Sequence, residues 1–190
     1  MTIGVLAIQG DFAAHVRAIG DIGADAIEVR CAAELDNIDA LIIPGGESTT
    51  MMKFIDEENL SKPIIDFASG ERPVFGTCAG AIVLARDVYN PPQASLGLID
   101  IGVERNGYGR QVDSFIAKAD TTLEGSPLEA VFIRAPRITR TGSDVEILAR
   151  CNDEPVFARQ KNILVATFHP ELTDDNRVHQ LLLEMIRTRL

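Results

Sequence analysis

Long hydrophobic runs are absent from this chain of 190 residues. None approaches the roughly 18 to 20 consecutive apolar residues that a membrane-spanning helix needs. The chain runs at once into Ile3-Gly4-Val5-Leu6-Ala7-Ile8, without the basic stretch and small-residue cleavage site of a secretory signal. A cytoplasmic location is the default expectation, with no membrane partner. Positive charge is also short: 18 Lys plus Arg stand against 28 Asp plus Glu, a formal net charge of -10. Gripping a phosphate backbone depends on cations that release counterions, so nucleic acid is not an expected partner. Cysteine is scarcer still. Cys31, Cys78 and Cys151 are odd in number and show no Cys-x-x-Cys spacing, which argues against a disulfide framework and a zinc ribbon. No metal or cofactor is expected, and any special cysteine must be special alone.

What is present is ordinary globular composition, 46% hydrophobic and 24% charged, in a length that suits one domain over residues 1–190. Short apolar runs at Ile3 to Ile8, Ala26 to Val29, Ala40 to Ile43 and Pro73 to Phe75 read as buried strands. Between them, Phe12, Val16 and Ile19 fit one helix face, and Met51, Met52, Phe54 and Ile55 begin another. Strands alternating with helices predict a doubly wound α/β fold, with a mainly parallel sheet covered on both faces. Sites in such sheets gather at the carboxyl ends of the strands. After Pro91-Pro92 the segments Gly102 to Arg105, Ser114 to Lys118, Val131 to Arg134, Val145 to Arg150, Val156 to Arg159 and Ile163 to Phe168 read as strands with little helix between them. They are expected as antiparallel additions to the same sheet or as a small side sheet. A closing helix is expected over Asp174 to Leu190.

The sharpest local signal is Gly76-Thr77-Cys78-Ala79-Gly80, between the strand Pro73-Val74-Phe75 and the helix-like stretch Ala81 to Arg86. It is a nucleophile elbow with cysteine in the serine position. A nucleophile on a strained strand-to-helix turn needs small neighbours, and a thiol at a helix N-terminus feels the positive end of the helix dipole, which favours the thiolate. The competing reading is a buried cysteine in a glycine-rich turn. His15 and His179, within predicted helices, read as surface or helix-packing imidazoles. His169 ends the strand Ile163 to Phe168 and is followed by Pro170-Glu171. In an extended segment, residues two apart project to the same side, so Glu171 can orient His169 while His169 faces the thiol. Nucleophile, base and orienter are then all present. Oxyanion donors are expected from the backbone at Ala79 and from the turn Pro44-Gly45-Gly46-Glu47-Ser48, which opens at the same sheet edge. Taken alone, Pro-Gly-Gly is an ordinary turn.

These segments resemble the class I, triad-type glutamine amidotransferases, which have a flavodoxin-like three-layer fold. Within that class the resemblance narrows to the glutaminase subunits of pyridoxal 5'-phosphate synthase. It is carried further by Leu6-Ala7-Ile8-Gln9-Gly10-Asp11, Glu47-Ser48-Thr49-Thr50, Glu104-Arg105-Asn106, Gly109-Arg110-Gln111, Ser114-Phe115 and Phe132-Ile133-Arg134-Ala135-Pro136. The resemblance implies hydrolysis of L-glutamine to L-glutamate and ammonia through a γ-glutamyl thioester. The ammonia would pass to a separate synthase subunit that builds pyridoxal 5'-phosphate from ribose 5-phosphate and glyceraldehyde 3-phosphate. It also implies Cys78, His169 and Glu171 as the triad, Gly46 and Ala79 at the oxyanion hole, and glutamine contacts from Gly46, Glu47, Ser48, Arg105, Ile133 and Arg134. Two positions depart from the family pattern: Ala14, where an acidic residue is common, and Ala81, where a larger aliphatic is usual. The alternatives are the glutaminase subunit of another class I amidotransferase, serving histidine or purine synthesis for example, and a non-catalytic regulatory domain of the same fold. The Gly45-Gly46 turn is the expected point of control by a docking partner, with Gln9-Gly10-Asp11 on the docking face.

Overall fold

The computed structural model describes residues 1–107 and 114–189. Gly109-Arg110-Gln111, one of the segments that carries the resemblance, lies outside them. The first half of the chain is β1 (Thr2–Leu6), α1 (Phe12–Asp21), β2 (Asp25–Val29), β3 (Ala40–Ile43), α2 (Ser48–Glu57), α3 (Ser61–Ser69), β4 (Val74–Thr77) and α4 (Ala79–Leu84). The second half is β5 (Ala85–Tyr89), β6 (Ile99–Glu104), β7 (Ser114–Thr121), β8 (Leu128–Ile133), β9 (Arg137–Thr141), β10 (Glu146–Cys151), β11 (Glu154–Gln160), β12 (Ile163–Ala166) and α5 (Arg177–Arg189).

Nine strands form one sheet in the order β2-β1-β3-β4-β12-β11-β10-β7-β8. The run from β2 to β12 is parallel, and β11, β10, β7 and β8 continue it antiparallel. The remaining strands make a side sheet, β5-β6-β9. Both arrangements expected for the second half therefore occur together. The period-2 alternation of a strand divides the apolar residues between two cores. Ala40 and Ile42 of β3, with Leu164 and Ala166 of β12, face the layer containing Ile19 of α1 and Leu182 and Ile186 of α5. Leu41 and Ile43, with Ile163 and Val165, face the layer containing Met51, Ile55, Ile64 and Phe67 from α2 and α3. The sheet is thus covered on both faces, which is why its central strands read as unbroken apolar runs.

Several boundaries and faces differ from the sequence reading. The buried stripe of α1 is Ala14, His15, Ala18 and Ile19 rather than Phe12, Val16 and Ile19. Phe12 and Val16 are only partly buried at its margin. Phe54 of α2 points outward while Met51, Met52 and Ile55 are buried. The helix expected through Arg86 stops at Leu84, because the chain passes directly into β5. Ala14 and Ala81 are both buried, so the small side chain at each is part of the packing. Among the described residues no helix is long and apolar enough to cross a membrane.

Candidate active site

The parallel arrangement of β1, β3, β4 and β12 brings four chain segments to one edge of the sheet. They are the Gln9 to Asp11 loop, the Gly45 to Ser48 turn, the elbow at Cys78, and His169. All four line one cleft of about 420 Å³, together with Arg105, Ile133 and Arg134. That volume suits a small polar metabolite.

At the elbow Cys78 has φ 48° and ψ -105°, a backbone state that L-residues avoid. It is held there by its N–H donating to the Ala166 carbonyl at 2.8 Å. The crowding that demands glycine on either side is explicit. A Cβ on Gly76 would lie 2.6 Å from the Gly80 carbonyl oxygen, and one on Gly80 would lie 2.0 Å from the Ile43 carbonyl oxygen. The Cys78 Sγ lies 3.8 Å from the Ile133 carbonyl, which can accept a hydrogen bond from the thiol.

His169 and Glu171 do meet, with Nδ1 2.7 Å from Oε1. Their segment is not extended as expected: Pro170–Leu172 is a 3-10 turn with His169 at its N-cap. Pro170 favours that outcome, because its fixed φ and missing N–H suit the first position of a helical turn. Burial opposes a charged His169. Hydrogen bonds to Cys78 and Glu171, together with their charges, outweigh it and raise the imidazole from 6.5 to about 10. Burial likewise opposes the Glu171 carboxylate. The charge of a protonated His15, and the hydrogen bond and charge of His169, more than offset that and hold Glu171 below its ordinary value. Burial keeps His15 itself low, so near neutral pH the His169 imidazolium is the cation that keeps Glu171 ionised.

The glycine turn packs against this pair. A Cβ on Gly45 would lie 2.4 Å from His169 Cε1 and 3.3 Å from Cys78 Cβ. Gly10, with φ 92°, backs onto the Gly45 carbonyl so closely that a side chain there is impossible. The Glu47 N–H donates to Gln9 Oε1 at 2.7 Å. Gly46 and Ala79, the expected oxyanion donors, both line the cleft.

Every expected glutamine contact also lines the cleft, but Glu47 has little left to offer. Its carboxylate caps α2 by accepting from the N–H groups of Thr49 and Thr50 and from the Thr50 hydroxyl, and it accepts from Arg105 Nη2 at 3.1 Å. Burial opposes its charge, yet the bonds from Thr50 and Thr49 bring it down to about 2. With these acceptor positions filled, Glu47 acts as the brace for Arg105. Ser48 donates to Gln93 Oε1 at 2.9 Å. Neither Gln93 nor Thr77 was singled out by sequence reasoning.

The two other histidines are not at the surface. His15 and His179 are fully buried behind the triad. A histidine on the small-residue stripe Ala14, His15, Ala18 is the sequence signal that could have marked one of them, since a core imidazole requires polar partners.

A thiol on a strained elbow, an imidazole and a carboxylate at the carboxyl edge of a three-layer, mainly parallel sheet define the class I glutamine amidotransferase architecture. Over residues 5–188 the chain matches the sequence profile of the SNO glutamine amidotransferase family, and it belongs to that family. It is 48% identical over 188 residues to "Pyridoxal 5'-phosphate synthase subunit PdxT" of Thermotoga maritima, covering 98% of this chain and 100% of that one. It is 50% identical to the protein of the same name from Bacillus licheniformis, covering 98% and 95%. A solved "glutamine amidotransferase" superposes with a TM-score of 0.93 at 44% identity, over 97% of this chain and 98% of the other. A TM-score of 0.76 to a chain of PurLQS from Thermotoga maritima, at 14% identity and covering 99% and 98%, shows the shared fold alone.

Proposed function

We propose that the chain is the cytoplasmic glutaminase component of a pyridoxal 5'-phosphate synthase, hydrolysing L-glutamine to L-glutamate and ammonia for a synthase subunit. The observation that carries this reading is the Glu171 to His169 contact of 2.7 Å at a cleft lined by both His169 and a strained Cys78. With His169 raised to about 10, its imidazolium stands beside the Cys78 sulfur as the proton donor. Cys78 Sγ attacks the side-chain amide carbon of glutamine, and the oxyanion forms against the backbone at Gly46 and Ala79. His169 gives its proton to the departing nitrogen, so ammonia leaves and a γ-glutamyl thioester remains. Neutral His169 then takes a proton from water, whose oxygen attacks the thioester carbon. Glutamate leaves, and the free Cys78 sulfur and the His169 imidazolium are restored. Arg105 and Arg134 line the cleft, and a guanidinium there suits the substrate's α-carboxylate.

Coupling to the partner follows from the chemistry. Ammonia released into water is protonated near neutral pH and loses its nucleophilicity, so turnover without an acceptor is wasteful. The Gln9 clamp on the Glu47 N–H ties the glycine turn to the loop expected at the docking face. A partner pressing on Gln9-Gly10-Asp11 can then re-aim that turn. One lost oxyanion donor lowers kcat by roughly 10²- to 10³-fold. The test is an ammonia-release assay on the full chain, with a pyridoxal 5'-phosphate synthase subunit titrated in. The expected result is slow hydrolysis alone, a rise in kcat that exceeds any fall in KM on adding the subunit, and no turnover by Cys78→Ala in either condition. Substantial turnover by Cys78→Ala overturns the mechanism. Full activity of the chain alone, unmoved by the subunit, overturns the coupling.

A further inference from the structure

Three buried polar groups behind the triad have no part in the chemistry just described. His15 of α1, His179 of α5 and Thr77 of β4 are each 0% exposed. Two of the chain's three histidines are thus removed from water at a point where four elements converge. Glu171 uses Oε1 for His169. Its other oxygen, Oε2, is buried without a close hydrogen-bond partner, and the nearest cation-capable atom is His15 Nε2 at 3.4 Å. The same Nε2 is 3.2 Å from Thr77 Oγ1, and His15 Nδ1 is 3.1 Å from His179 Nε2.

Counting protons selects one arrangement. An ionised carboxylate only accepts, so Glu171 Oε2 at 3.4 Å favours a hydrogen over a lone pair on His15 Nε2, and Thr77 Oγ1 at 3.2 Å can accept that hydrogen. His15 Nδ1 is then bare and takes a hydrogen from His179 Nε2. This leaves His179 Nδ1 as a bare nitrogen, and Nδ1 is the buried ring atom that has no partner. The reverse arrangement would aim a lone pair at the carboxylate and bury an unpaired N–H on His179, which costs more than an unpaired acceptor. The groups facing His15 are Asp11 at the start of its own helix, Glu171 and His169 from beyond β12, His179 from α5 and Thr77 from β4. Burial pushes His15 below its ordinary value, with His169 adding to the effect and Glu171 and Asp11 opposing it. His179 falls to about 3 for the same first reason. A neutral donor restrains the carboxylate without cancelling the charge that His169 needs.

We propose that His15, locked as its Nε2–H tautomer by His179, is a positioning residue that holds the outer oxygen of Glu171 so that the inner oxygen stays on His169. The inference rests on the reading of Glu171 as the residue that orients His169.

The test pairs His15→Gln with His15→Asn in the full chain, assayed for glutamine hydrolysis with the synthase subunit present. Active sites are counted by labelling of Cys78 with a glutamine-like electrophile. A glutamine amide reaches the place of Nε2, whereas an asparagine amide reaches only that of Nδ1. Both are polar and similarly costly to bury. His15→Asn should lose about 10- to 100-fold in kcat per labelled site, the scale of one hydrogen bond to a charged group. Its KM should stay within about twofold, because no glutamine contact is touched. His15→Gln should recover most of that loss. Equal kcat in the two variants overturns the inference, as does a His15→Asn protein that matches the unaltered chain. Glu171→Gln, run alongside, separates the failures. If it retains full activity, the triad reading itself fails. If it is impaired while His15→Asn is not, only the role of His15 falls.

Discussion

Arg105 Nη2 donates to both Glu47 Oε1 at 3.1 Å and Thr49 Oγ1 at 2.8 Å, and the side chain is 17% exposed. Among the described residues its hydrogen bonds use Nη2 alone, so the remaining donors of the fork stay available to a carboxylate in the cleft. Arg105→Ala should therefore weaken glutamine binding by about 10- to 100-fold, read by direct titration rather than from KM alone. Unchanged affinity would make Arg105 a structural partner of Glu47 and nothing more. Cys78, His169 and Glu171, the proposed triad, could be named from the sequence because the chemistry restricts their types and the elbow restricts the spacing around Cys78. His15 was not, since its partner His179 is 164 positions away and no local pattern records the meeting. The side-chain role of Glu47 was not legible either: its carboxylate caps α2 and braces Arg105, a partner 58 positions away.

The elbow joins β4 to α4 with no slack, and its glycines carry the cost of the close approach to β3. In Gly80→Ala the new Cβ would sit 2.0 Å from the Ile43 carbonyl oxygen, a backbone atom that cannot swing aside. The variant should lose about 1 to 3 kcal/mol of stability, as overpacked cores do, together with glutaminase activity. Gly20→Ala is the matched control. Position 20 lies in α1 with nothing within 4 Å of a Cβ, and it should gain up to about 1 kcal/mol. Denaturant midpoints measure both, and equal midpoints contradict the packing argument. The central parallel strands were legible as apolar runs because both their faces are buried. The elements that escaped carry mixed patterns. β5 (ARDVY) and β9 (RITRT) belong to the small side sheet, where Arg140 bridges Asp87 and Asp100. α3 is nine residues long with Pro63 near its start, too short for a periodicity to stand out.

Across the whole molecule, the two core layers leave the proposed catalytic groups at one edge and two neutral histidines sealed beneath them. That burial makes folding sensitive to acid. His179 is lowered from 6.5 to about 3, chiefly by burial. Between those values the unfolded chain binds a proton that the folded chain refuses, so stability falls as pH falls through that window. His179→Gln should flatten the dependence of unfolding free energy on pH by about one proton there, read from denaturant midpoints at a series of pH values. An unchanged slope contradicts the assignment. The account stands most directly on the claim that Cys78 alone among three free cysteines is a nucleophile for glutamine. Cys31 is exposed and Cys151 is buried, so accessibility and activation make opposite forecasts. The deciding measurement is labelling of the full chain with a glutamine-like electrophile, with the modified residue located by peptide mass spectrometry. The account predicts one label per chain on Cys78, suppressed by added glutamine and lost in His169→Asn. Labelling centred on exposed Cys31, or labelling of Cys78 that glutamine does not suppress, would contradict it.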